Sequence, residues 1–207
     1  MKASFFQLIT GAAIVGTLGS GVFTPAQAIQ VWNLNFAPEG GGGRTGTGTG
    51  SLTYDNIART LTVASTFSGL SGNTTNAHIH APTTLAGTGT VGVAVPFALG
   101  GSGFPLGVTS GSYNTVLNLA LDSTYNANFR NTFGEGTAAG AEVALIASLN
   151  AGTAYYNIHT STFLGGEIRA FATPVPWETD ALPVVGTTLL FGFGIWRKNK
   201  LSQRNLK

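Results

Sequence analysis

The sequence predicts a mainly β domain, an antiparallel β-sandwich carrying one short helix, framed by two terminal segments that serve as addresses. Three observations carry this expectation. Between residues 29 and 173, short runs of alternating apolar and polar residues are separated by turn clusters. Glycine is abundant, 30 of 207 residues, and only 9% of residues are charged, so long stretches read as strand and loop. A single segment combines helical spacing with a clear stop. A chain of this length fits one domain with appendages.

The elements follow in order. Residues 1–28 read as a secretory signal helix, with Lys2 as its positive start and an apolar run from Phe5 to Val22. Ala26-Gln27-Ala28 forms a small-x-small cleavage site, and cleavage after Ala28 makes Ile29 the mature N-terminus. From Ile29 to Phe36 the chain alternates, placing Trp32, Leu34 and Phe36 on one face. Residues 40–50 form a Gly/Thr stretch read as a flexible loop running into a strand. Residues 51–54 and 61–67 around Asp55-Asn56 read as a hairpin, with Asp55 a turn residue. Residues 91–95 and 107–121 supply further strand candidates. The helix spans about 137–150, with Ala141, Ala144, Leu145, Ser148 and Leu149 as its apolar stripe and Asn150-Ala151-Gly152 as its stop. Glu135 and Glu142 are expected in solvent. Residues 155–160 and 167–171 close the domain as strands, about seven in all.

The tail, residues 174–207, is a second address. Its motif occupies 174–178 and contains Val175, Pro176, Trp177 and Glu178. Residues 181–196 are uncharged and mostly apolar, and residues 197–207 are basic. Sixteen helical residues reach roughly 24 Å, a short membrane span. The basic end would stay in the cytoplasm and leave the domain outside. Short motif, hydrophobic helix and basic end together resemble the PEP-CTERM class of bacterial sorting signals. That resemblance implies an exosortase-type processing enzyme as a partner; a permanent membrane anchor is the alternative. Either way the protein is expected to cross the inner membrane and to reside in the periplasm, at the outer surface or in the extracellular matrix, at first anchored at its C-terminus.

The formal charge of +2 belongs to the ends. Between residues 29 and 174, Arg44, Arg59, Arg130 and Arg169 face Glu39, Asp55, Asp122, Glu135, Glu142 and Glu167. Four cations cannot neutralise many phosphates, so nucleic-acid binding is excluded. The absence of cysteine removes disulfides, thiolate metal sites and a cysteine nucleophile. No serine-hydrolase elbow occurs, and the glycines lack the lysine of a phosphate loop. No catalytic motif remains, and the protein is read as a non-enzyme.

Only three histidines exist, at positions 78, 80 and 159. In a strand, residues two apart share a face, so His78 and His80 project together, as do Asn157 and His159, and Glu167 and Arg169. If the histidine strands are neighbours, three imidazoles converge on one ion with an open fourth position, and copper or zinc are the natural guests. The alternative is a framework in which histidine and Asn157 tie loops to the sheet, with Glu167 and Arg169 as an ion pair. Asn157, Glu167 and Arg169 are also the candidate contacts to a ligand. A dismutase is excluded by counting, because that chemistry needs about twice as many histidines.

Four segments in order, Ser68-Gly69-Leu70-Ser71-Gly72, Ala77-His78-Ile79-His80-Ala81-Pro82, the stretch from Gly152 to Thr160, and Gly165-Gly166-Glu167-Ile168-Arg169, resemble the CHRD domain. The resemblance implies an immunoglobulin-like β-sandwich with no established catalytic activity. Function is then expected to be that of a structural or binding module of the extracellular matrix, with a polysaccharide or surface protein as ligand. The alternative is a periplasmic or surface protein binding one copper or zinc ion through His78, His80 and His159.

Overall fold

Alternation along the first described strand sets the architecture. The structure is a computed structural model that describes residues 29–97 and 103–176. In β1 (Ile29–Pro38), Trp32, Leu34 and Phe36 are buried while Asn33 and Asn35 face out. β2 (Thr47–Asp55) and β3 (Thr60–Ser68) continue the pattern through Leu52, Leu61, Val63 and Phe67. Then come β4 (Thr74–His80), β5 (Val93–Pro96) and β6 (Gly111–Asn118). Two helices, α1 (Ala127–Phe133) and α2 (Ala138–Asn150), precede β7 (Tyr155–Thr160), β8 (Ile168–Phe171) and β9 (Thr173–Pro174).

The nine strands among the described residues belong to one antiparallel sheet in the order β5-β4-β7-β8-β1-β2-β3-β6, with β9 also on β1. β1 makes the turn. Residues 29–36 pair with β2, whereas Ala37 and Pro38 pair with Arg169 and Ile168 of β8. The sheet therefore curls, and its two halves share one core. Tyr156 of β7 meets Phe36 edge-on at 4.9 Å and Phe97 at 4.8 Å, and Phe97 in turn packs 5.4 Å from Tyr113 of β6. Burying rings of this size is the main stabilising term, at roughly 2 kcal/mol per large side chain.

Several expectations change here. The Gly/Thr stretch is not all loop, because β2 begins at Thr47. A Cβ at Gly48 or Gly50 would collide with the carbonyls of Thr66 and Ala64, so glycine permits the close approach of β3. Among the described residues there are two α-helices where the domain was expected to hold one. α1 is only seven residues long and rich in Asn and Thr; its signals are the Asn126 cap, whose side chain accepts from the Asn128 amide, and the pair Phe129 and Phe133. α2 begins as expected, with Thr137 Oγ1 accepting from Gly140 N at 3.1 Å.

Glu142 is buried, not solvated: it accepts from Tyr54 Oη at 2.8 Å and from Arg59 Nε at 2.7 Å, tying α2 to the β2–β3 hairpin. Asp55 is the turn residue expected, accepting from the amides of Ile57 and Ala58. Pairing also runs past residue 173, since Val175 N donates to Val31 O at 2.9 Å. The signal segment with Ala28, the motif residues Trp177 and Glu178, and the apolar stretch 181–196 lie outside the described residues. Among the described residues no helix is long and apolar enough to cross a membrane.

Candidate functional site

β4 and β7 are hydrogen-bonded neighbours, the condition for the histidines to meet. Ala77, Ile79, Tyr156 and Ile158 point into the core and are essentially inaccessible. Period two then sends the alternate residues to the outer face. The register places His78 opposite Asn157 and Asn157 opposite Arg169. It also sets His80 opposite Tyr155, and His159 opposite Asn76. The ring centroids lie 5.4 Å (His78–His80), 4.9 Å (His78–His159) and 6.2 Å (His80–His159) apart. One nitrogen from each ring falls within 4.8 Å of the other two.

The anchors of the rings fix their tautomers. His80 Nδ1 lies 2.8 Å from Val91 O, and His159 Nδ1 lies 2.7 Å from Leu164 O. A carbonyl only accepts, so both Nδ1 atoms carry a proton, which leaves Nε2 as each ring's available ligand atom. His78 Nδ1 lies 3.2 Å from His159 Nε2, within hydrogen-bond distance. His80 Nε2 is buried and has no hydrogen-bond partner among the described residues. His80 also stacks on Tyr155, at 4.8 Å and 4° between planes, which fixes its ring. Imidazoles held through Nδ1–H to backbone carbonyls, with Nε2 converging, are the arrangement in which histidine ligates metal.

Distances agree with that chemistry. Tetrahedral Zn–N bonds of about 2.0–2.1 Å put ligand nitrogens roughly 3.4 Å apart. The His78–His159 pair is already at 3.2 Å, and closing the widest separation requires shifts of about 1.4 Å, within reach of ring rotation. Charge favours it as well. Burial, and then the neighbouring His159 and His80, hold His78 down at about 4. Burial also lowers His80, against the raising effect of its bond to Val91. Neutral rings keep their lone pairs at neutral pH.

The other expected contacts divide. Asn157 and Arg169 lie on the histidine face and converge on Glu39, which sequence reasoning missed: Asn157 Nδ2 donates to Glu39 Oε2, and Arg169 Nη1 reaches Oε1 at 3.2 Å. Arg169 also donates to Gly89 O at 2.8 Å. Glu167 does not pair with Arg169. It precedes β8, in a bend after Gly166 (φ +121°), so strand alternation does not govern it. Its fully buried carboxylate accepts from Ser71 N at 2.6 Å, Thr160 Oγ1 at 2.7 Å and Thr45 N at 3.3 Å. Burial raises its pKa, but these bonds outweigh burial and hold it below the ordinary value. Tyr155 was readable from period two with Asn157; only tertiary pairing reveals Glu39.

A curled antiparallel domain with three histidines on two adjacent strands is thus the class of protein defined here. The CHRD domain family model matches residues 33–171, well over half of the sequence, and the chain belongs to the CHRD domain family. Comparison with curated proteins and with solved structures gives no match.

Proposed function

We propose that this chain is an exported CHRD-domain protein that binds one copper or zinc ion through His78, His80 and His159. The observation that carries the reading is the pair of anchored rings, whose Nδ1 protons are committed to Val91 O and Leu164 O, in a cluster where one nitrogen of each of the three rings lies within 4.8 Å of the others. Of these, His80 Nε2 is buried without a donor, a costly arrangement that a cation would relieve. All-nitrogen ligation suits copper and zinc. The protein acts as a binding module and not as an enzyme. Its curled sheet, with two halves over one core, is compatible with the immunoglobulin-like sandwich that CHRD similarity implies.

Location rests on the terminal sequences alone. The 1–28 segment directs export, and the 174–207 tail holds the chain at the membrane until an exosortase-type enzyme processes it. A second reading, a matrix module contacting polysaccharide or a surface protein, is favoured by one observation: the rings already tie the segments at Val91 and Leu164 to the sheet. Metal content separates the two. Exported chain, analysed by elemental mass spectrometry, should hold close to one equivalent of copper or zinc, and a variant with all three histidines changed to alanine should hold none. Wild-type chain that stays metal-free after incubation with both ions leaves the matrix module.

A further inference from the structure

Three ligands cluster among the described residues, and the neighbouring Glu39 carboxylate and Tyr155 hydroxyl are engaged elsewhere. Among the described residues no Cys, Asp, Glu or further His joins the cluster. Glu39, on the same face, is held by Asn157 and Arg169. Asn157 Nδ2 is committed to Glu39, and its buried Oδ1, which has no hydrogen-bond partner among the described residues, packs against Gly166 and is not one of the clustered ligand atoms. The Tyr155 hydroxyl accepts from Val91 N at 3.4 Å. Burial is also uneven around the three rings. His80 is buried against Tyr155, whereas His159 is only partly buried and the neighbouring Leu164 is 74% exposed. One side of the cluster is therefore sheet and the other is solvent.

From this we infer that the ion held by these histidines keeps a solvent-facing coordination position that takes water or a small exogenous anion. This rests on the metal-binding reading and deepens it. Structural metal sites close their shell with four protein ligands, whereas sites with three protein ligands leave a position for a small molecule. The exchangeable ligand is a monodentate donor the size of water, hydroxide, azide or cyanide. Binding it needs no rearrangement of Glu39, Asn157 or Tyr155, because none of them ligates.

The full chain loaded with one equivalent of copper(II) and titrated with azide tests this. A new azide-to-copper absorption band that grows with azide and saturates, with a matching change in the electron paramagnetic resonance spectrum, is the expected result. E39Q, loaded in the same way, should give the same band, since Glu39 is not a ligand. Copper held at one equivalent with a spectrum that azide leaves unchanged overturns the open position while sparing the metal site. A chain that retains no copper overturns both.

Discussion

Two polar clusters stand on β7, and they are built in opposite ways. Around Glu167, at the Thr160 end, the carboxylate receives hydrogen bonds from three partners on three segments. Around His159, one strand position away, two rings spend their Nδ1 donors on backbone carbonyls, and His80 Nε2 is buried with no hydrogen-bond partner among the described residues. A fully satisfied buried group is framework: it fixes loops and asks for nothing more. A buried acceptor without a donor is costly unless something occupies it, and a cation is the occupant we propose. The same strand thus carries a knot and a socket.

Removing the knot should have the larger effect on stability. E167A leaves the Ser71 amide and the Thr160 hydroxyl without their acceptor, which should cost about 3 kcal/mol in chemical denaturation. Its metal content should stay that of the wild type. Loss of metal together with stability would mean that knot and socket are one cooperative unit.

Acid should act on the socket next. His78 and His80 are held below their ordinary value of 6.5, His78 at about 4. Between those two pH values the unfolded chain takes up protons that the folded chain refuses, so metal-free protein loses stability as pH falls through this window. The slope should be about 1 kcal/mol per pH unit, less than the full titration of two buried groups because His78 keeps some contact with solvent. The triple histidine-to-alanine variant should lose that component, and an unchanged slope in its denaturation curves would sink the assignment.

The smallest effect is expected far from both clusters. Y54F removes the hydroxyl bonded to Glu142 at 2.8 Å but leaves Arg59 in place. A loss of about 1 kcal/mol in thermal unfolding, with unchanged metal binding, is the expected outcome.

Much of the socket was legible in the sequence because strand geometry has a period of two. Once residues 77–80 and 155–160 are strands, the shared face of His78 and His80, and that of Asn157 and His159, follow without coordinates. Their adjacency does not follow, since it depends on a register spanning about eighty residues. The same limit hid Glu39, whose partners Asn157 and Arg169 come from β7 and β8. Glu167 was misassigned because alternation was extended one residue before β8 begins. The burial of Glu142 was invisible for a related reason: on a helix face a lone carboxylate reads as solvated, and Tyr54 and Arg59 are more than eighty residues away. α2 was readable from its cap and stop, whereas α1 is too short for periodicity to stand out.

The most direct test of the socket is calorimetric titration of metal-stripped chain with zinc or copper. One ion should bind per chain, with binding abolished in the triple alanine variant and retained in E167A. No binding by the folded wild-type chain, alongside a triple variant that unfolds more readily, would contradict the account and make the three histidines part of the framework.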